Sequence, residues 1–384
     1  MTHIDRSWLS RRVLLGGFAS AAAGPATTAL AQTQAQAQAQ AQTQAQAQAQ
    51  VQTQARTRTA AATAPATPAV PIVPNGPITV TARKIDSFSR TSSESRFGRL
   101  TFRGGLVLTS ETKDFGGLSG IEIEADGRSF VAITDEGHWL TGSLTYDGAA
   151  PSGMTGVRLG PILGMGGRML TGKRDRDAEA CTILEGTLAR GTVLIGFERN
   201  HRIGRFPVLD RVLQPPTGLL KMPTEARQMR SNQGLEAVSV LRGGPYKGAV
   251  IAICERFPSA DGQHVGWLWI NGEPQRFGLQ NIGGFDITDV NSLTDGTVLI
   301  LERRFRWSEG VQLQLRLVKA SELKPGALIQ GEVLLNADMG YDIDNMEGLA
   351  VHRAPKGETI LTLISDDNFN SFLQRTILLQ FALA

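Results

Sequence analysis

The 384-residue sequence has little of what marks several protein classes. No apolar run reaches the roughly 18 residues of a membrane-spanning helix, so we predict no membrane span in the mature chain. The motifs GxSxG and HExxH and the P-loop are missing, which argues against serine hydrolases, zincins and P-loop nucleotidases. There are two cysteines, Cys181 and Cys254, which either pair in an oxidising compartment or stay apart as buried thiols.

The sequence also has little net charge once its amino terminus is set aside. Residues 1–31 contain three basic residues and one acidic residue, so the rest has 36 basic and 35 acidic residues. A nearly neutral chain lacks the general attraction that binds proteins to the phosphate backbone. We therefore predict no nucleic-acid partner.

The first 31 residues have the pattern of a bacterial export signal. Arg11 and Arg12 precede a mild apolar stretch, and small residues at 29–31 suit a signal peptidase. The paired arginines favour the twin-arginine export machinery as a partner, and an uncleaved membrane anchor is the alternative. We expect a periplasmic or secreted bacterial protein.

Residues 32–80 lack the large apolar side chains that a folded core needs. Gln-Ala and Gln-Thr repeats fill 32–55, and Ala, Thr and Pro dominate 56–77. Such a segment buries too little surface to offset the entropy of ordering. We predict a disordered linker at 32–80 and a folded domain at 81–384.

One strand–turn–strand unit recurs through the folded domain. Each copy is a β-rich run, a Gly-containing turn and a second β-rich run with a charged end, as in VLIGFERN at 193–200. The first polar position recurs in steps of 60, 57, 55 and 56 residues. It falls at Ser119, Glu179, Glu236, Asn291 and Glu347. Steps of this size predict an all-β fold, namely a β-propeller of five four-stranded blades, or of six blades if one copy has diverged. Residues 376–384 are expected to close the ring by pairing near 100–108.

The charged ends of the second strands belong beside these positions, because the start of one hairpin strand lies next to the end of its partner. They are Asp135, Glu198, Glu255, Glu302 and Asp366. A blade's first strand is the innermost, so both sets are predicted to meet at one mouth of the central channel. Crowded carboxylates raise one another's pKa, so a positive charge must accompany them. It is either the arginines that follow three of the acids or a bound cation such as Ca²⁺, which takes hard oxygen ligands.

Further residues near the mouth are candidates for contact with a substrate. His138 and His201 each stand three residues after a mouth acid and suit acid–base catalysis, although repeat symmetry and loop ordering also explain them. Basic side chains there suit an anionic small molecule, and a solvated basic loop is the alternative. The basic candidates are Lys173, Arg174, Arg199, Arg256 and Arg303.

Four segments resemble the phytase-like β-propeller family, which carries the label "esterase-like activity of phytase". They are DNMEGLAVHRAPKGETILTLISDDNFNSFLQRTILLQF at 344–381, NQGLEAVSV at 232–240, VNSLTDGTVLILERRF at 290–305 and FGGLSGIEI at 115–123. The resemblance covers residues 85–384 and implies a propeller, ester or phosphoester hydrolysis, and an acidic mouth of the kind that binds Ca²⁺ in β-propeller phytases. We therefore expect either an exported, cation-dependent hydrolase or a non-catalytic propeller that binds a ligand or protein at the cell envelope.

Overall fold

A computed structural model describes residues 76–257 and 261–384. The predicted export signal and nearly all of the predicted linker lie outside the described residues. The helical segments within them are α1 (Lys173–Arg176) and two 3₁₀ turns, Met165–Gly167 and Thr224–Gln228. None of the helices in this part of the chain has the length and hydropathy needed to span a membrane.

The strands form five sheets, which we call blades one to five. Before blade one come β1 (Gly76–Pro77), β2 (Thr81–Ile85), β3 (Arg96–Phe97) and β4 (Leu100–Thr109). Blade one contains β5 (Leu118–Ile123), β6 (Ser129–Thr134), β7 (His138–Asp147) and β8 (Ala150–Pro161). Blade two contains β9 (Ala178–Gly186), β10 (Arg190–Phe197), β11 (Arg202–Leu209), β12 (Val212–Leu213) and β13 (Gly218–Leu219).

The remaining blades repeat the antiparallel pattern. Blade three contains β14 (Leu235–Val240), β15 (Val250–Cys254), β16 (His264–Ile270) and β17 (Glu273–Leu279). Blade four contains β18 (Asp286–Ser292), β19 (Val298–Arg306), β20 (Gly310–Val318) and β22 (Glu332–Ala337). The short β21 (Leu328–Ile329) precedes β22 in the chain and pairs with β17 of blade three. Blade five contains β23 (Met346–Arg353), β24 (Thr359–Ser365) and β25 (Thr376–Leu383).

The five blades form a closed ring, so the fold is a five-bladed β-propeller. The first strands contact one another in the order β5, β9, β14, β18, β23 and back to β5. The two ends of the domain meet in blade five, where β25 pairs with β4 as the sequence predicted. At the edge of blade one, β1 pairs with β8, so ordered structure begins within the segment predicted to be linker.

Apolar packing fills the interfaces between neighbouring blades, because the strand residues that face the next blade are aliphatic or aromatic. One buried cluster occupies each of the five interfaces. Leu301 of blade four packs with Leu361 of blade five, and Trp139 of blade one lies in the cluster shared with blade two. Cys181 and Cys254 are both buried and unpaired, in different clusters.

A β-bulge interrupts the first strand of every blade at the same level. One residue there has no partner on the second strand. The bulged residues are Ser119, Glu179, Glu236, Thr288 and Glu347. A bulge re-aims a side chain away from the regular ladder. Thr288, rather than Asn291, is therefore the member of this set in blade four.

Candidate functional site

The bulges lead into a cavity of about 980 Å³ at one end of the ring of first strands. All of the bulged residues except Ser119 line it. The Ser119 hydroxyl instead donates to the carbonyl of Ala178 at 2.6 Å, which ties blade one to blade two. We call this cavity the mouth.

The second strands contribute a matching set of residues to the mouth. They are Asp135, Glu198, Glu255, Arg303 and Asp366. In blade four the register pairs Glu302 with Ile287, the residue just before the bulge, and side chains alternate along a strand. Arg303 therefore takes the position that an acid holds in the other four blades.

Besides Ser119, two residues predicted to line the mouth lie elsewhere. Asn291 stands three residues beyond the bulge, where its side-chain amide donates to Glu122 at 2.9 Å. Glu302 is fully buried inside blade four in an ion pair with Arg316. The predicted placement of both is wrong, because equal spacing along the chain does not reveal where a bulge shifts the register.

Two groups of three carboxylates lie in the mouth and share one member. Oxygens of Asp177, Glu179 and Glu198 all lie within 4.8 Å of one another, and so do oxygens of Glu198, Glu236 and Glu255. We call the first the outer trio and the second the inner trio. Such crowding of hard oxygen donors is the arrangement that a divalent cation requires.

Burial and mutual repulsion raise the pKa values of these carboxyl groups. Burial raises the pKa of Glu179 well above its ordinary value, and the charges of Asp177 and Asp135 add to the effect. The pKa of Glu236 is raised in the same way, first by burial and then by Glu179. Burial raises the pKa of Glu255 to about 8. Without a counter-charge, part of the mouth therefore binds protons near neutral pH.

Among the described residues, the basic side chains form direct ion pairs with the outer trio but not with the inner trio. Burial still raises the pKa of Glu255 to about 8, because it outweighs the lowering by Arg303 and Arg256 from a greater distance. Asp177 of the outer trio is bound by Arg199 and by Lys173, whose Nζ is 2.9 Å from it. Arg303 lies 3.1 Å from Glu347, outside both trios. Within 76–257 and 261–384, no lysine or arginine forms an ion pair with a glutamate of the inner trio. The arginines alone therefore do not balance the inner trio.

Of the predicted basic residues, Lys173, Arg199 and Arg303 line the mouth. Arg174 is exposed and lies outside it. Arg256 binds Asp286 and lines a separate cavity beside His264. The structure therefore brings together three of the five candidates for binding an anion.

The family model described as "Phytase-like: Esterase-like activity of phytase" matches residues 113–369, well over half of the chain. The chain belongs to the phytase-like family. The match runs from just before the first strand of blade one to the loop that follows Asp366, so it includes both trios. The resemblance read from the sequence is confirmed. Among curated proteins, the comparison found no match to the chain.

The two histidines proposed as acid–base groups do not reach the mouth of this phytase-like propeller. His201 packs against Gly234, and burial lowers its pKa. The backbone N–H of Gly234 in turn donates to Glu198 at 3.1 Å. His138 begins β7, and burial lowers its pKa as well. Their positions fit a structural role beside the mouth better than contact with a substrate.

The sequence reasoning missed Asp177, which is 2% exposed and belongs to the outer trio. It stands two residues before the bulge, the position that Asp286 holds in blade four. Each of these aspartates binds an arginine that directly follows a mouth glutamate, Arg199 and Arg256 respectively. The first pair lies within blade two and the second joins blade three to blade four, so the pairing does not repeat along the sequence and offered no signal for Asp177.

Proposed function

We propose that the mouth binds a divalent cation, best fitted by Ca²⁺, and uses it to hydrolyse esters or phosphoesters. The observation that carries the proposal is the inner trio of Glu198, Glu236 and Glu255, three crowded carboxylates that form no direct ion pair with a basic side chain in the described part of the chain. Carboxylate oxygens are the ligands that Ca²⁺ prefers. A cation there removes the repulsion that raises their pKa values.

The inner trio would hold the ion, and neighbouring side chains would hold the substrate. When bound, such a cation polarises an ester and lowers the pKa of an attacking water. Lys173, Arg199 and Arg303 present positive charge to the same cavity. They suit the orientation of a phosphate or carboxylate through charge-assisted hydrogen bonds. Asp135, which lines the mouth, has a buried Oδ1 without a hydrogen-bond partner, and this oxygen supplies one more acceptor for a substrate.

A non-catalytic propeller that binds a ligand or protein at the cell envelope is the second candidate. One observation favours it: among the residues that the structure describes, no histidine lines the mouth. Proton transfer near neutral pH would then fall to the carboxyl groups or to water. Cation binding without turnover is the result that would distinguish this candidate.

Turnover of a panel of phosphomonoesters and carboxylic esters tests the hydrolase. We expect release of product in millimolar Ca²⁺ and a fall to background in excess EDTA, because the ion activates both the ester and the water. Glu236→Gln should give the same loss in Ca²⁺. Glu273→Gln, an exposed glutamate on β17 that pairs with Lys221, is the matched control and should keep full activity. Equal turnover in Ca²⁺ and EDTA would contradict cation dependence.

We also propose that the protein is exported by the twin-arginine route to the periplasm or beyond, as the pattern of residues 1–31 suggests. Replacing Arg11 and Arg12 by lysine should leave the protein in the cytoplasm, as measured by cell fractionation. Unchanged export of the double variant would exclude this route.

A further inference from the structure

The mouth contains large exposed apolar side chains as well as carboxylates. Both carboxylate trios belong to blades two and three, whereas the large exposed apolar side chains of the mouth come from blades four and five, where charged residues such as Arg303 and Glu347 also line it. The exposed apolar residues are Phe305, Trp307, Met339 and Leu373, whereas Ile287, Val311 and Ile343 line the mouth with less exposure. Trp307 is exposed by 89% and Leu373 by 72%. We call the four exposed residues the apolar wall.

Three separate chain segments build the apolar wall. Phe305 is in β19 and Trp307 lies in the turn to β20, and their rings meet edge to face with centroids 5.3 Å apart. Met339 follows β22 and packs on Gly310, where an added Cβ would lie 2.7 Å from Met339 Cγ. Leu373 comes from the loop between β24 and β25. Large apolar side chains that converge on one cavity mark an interaction site rather than scattered surface residues.

The position of the apolar wall inside the mouth indicates that a bound small molecule covers it. It belongs to the same cavity that Lys173, Arg199 and the two trios line. A volume of about 980 Å³ is at the upper end of the range for small-molecule cavities, so one molecule can contact both the apolar wall and the trios. Apolar area on the ligand gains free energy when it leaves water against this wall.

We propose that the substrate is amphiphilic, with an ester or phosphoester head beside the trios and an aromatic or alkyl group against the apolar wall. This inference rests on the proposed function for the nature of the head. In hydrolysis, the oxygen of water forms a bond to the acyl carbon or phosphorus and the ester bond breaks. One proton of the water ends on the leaving oxygen. A compact, fully polar phosphoester would leave the wall in contact with water.

Trp307 provides a readout that does not depend on turnover. Of the tryptophans in the described residues, Trp139, Trp267 and Trp269 are buried, and Trp8 lies in the predicted export signal. Emission that acrylamide quenches in the mature protein should therefore come from Trp307. With Ca²⁺ present, hexyl phosphate should shift this emission to the blue and protect it from acrylamide. Methyl phosphate should bind about tenfold or more weakly, because it has no chain to bury against the wall.

Matched variants separate the wall from the rest of the rim. Leu373→Ser should weaken hexyl phosphate binding about fivefold and leave methyl phosphate binding unchanged, because it removes apolar contact alone. Phe372→Ser is the control, since Phe372 is 93% exposed and does not line the mouth. In phosphate-release assays, the preference for hexyl over methyl phosphate should fall in Leu373→Ser and persist in Phe372→Ser. Equal effects of the two variants would contradict the proposal.

Failure of this inference is distinguishable from failure of the hydrolase. Binding of hexyl phosphate without hydrolysis of any phosphomonoester or carboxylic ester would refute the hydrolase and support the inference. Equal turnover of methyl and hexyl phosphate, with no response of Trp307, would overturn the inference and leave the hydrolase standing. A response of Trp307 to phosphatidylglycerol vesicles but not to hexyl phosphate would make the wall a membrane contact and would also overturn it.

Discussion

Replacing Arg316 by leucine is expected to lower the free energy of unfolding by about 3–5 kcal/mol, the loss seen when one partner of a buried ion pair is removed. Arg316 and Glu302 are both 0% exposed and bind each other inside blade four. Arg316 Nη1 also donates to the carbonyls of Gln280 at 2.6 Å and Gln330 at 2.9 Å. The substitution would leave a buried carboxyl group and two backbone acceptors without a partner.

Urea denaturation measures this loss against two controls. The double variant Arg316→Leu/Glu302→Leu should recover most of the stability, because it leaves no unpaired charge in the interior. Lys84→Gln breaks an exposed pair with Asp147 and should cost less than about 1 kcal/mol. If Arg316→Leu alone lowers the free energy of unfolding by less than about 1 kcal/mol, then water or a rearranged side chain forms hydrogen bonds with Glu302 in place of Arg316.

The five blades could be predicted from the sequence because each blade repeats the same local chemistry. Buried runs such as VLIGF at 193–197 alternate with Gly and Asp turns, and equal spacing of the runs indicates repetition. Ring closure by β25 and β4 also followed from the pattern, because a propeller must pair its two ends. These features depend on short segments of sequence.

The wrong placement of Asn291 and Glu302 has its cause in blade four. Thr288, Asp289 and Asn291 are all polar, so alternation of polar and apolar residues does not show which one is bulged. The wrong choice of Asn291 and of Glu302 follows from this ambiguity. The apolar wall could not be predicted because Trp307 and Leu373 come from loops of different blades, and only the closed ring brings them to one cavity.

The mature protein is expected to melt about 4 °C higher in Ca²⁺ at a hundred times its dissociation constant than in EDTA, because a ligand of the folded state then adds about 2.7 kcal/mol. The gain should disappear in Glu198→Gln, since Glu198 belongs to both trios. Glutamine keeps the acceptor that the N–H of Gly234 uses, so the variant removes charge with little change of shape. Glu273→Gln on the outer part of blade three should behave like the parent.

The rise in melting temperature caused by Ca²⁺ should also depend on pH, in a direction set by the raised pKa values of the carboxyl groups in the mouth. The folded state raises the pKa of Glu255 from 4.5 to about 8, so it binds protons that the unfolded state has lost between these values. The contribution of Glu255 to stability in EDTA is therefore full below about pH 4.5 and is lost as the pH rises through about 8. Ca²⁺ competes with these protons, so its effect on melting should be largest near pH 8 and small near pH 5.

Calorimetric titration of the EDTA-treated and dialysed mature protein with Ca²⁺ at pH 8 tests cation binding at the inner trio most directly. We predict saturable binding that releases protons, seen as a binding enthalpy that varies with the ionisation enthalpy of the buffer. We predict its loss in Glu236→Gln, because Glu236 belongs to the inner trio alone. No binding heat in any buffer, together with identical melting in Ca²⁺ and EDTA, would contradict a cation site. Protonation of Glu198, Glu236 and Glu255 would then be what balances the charge of the mouth.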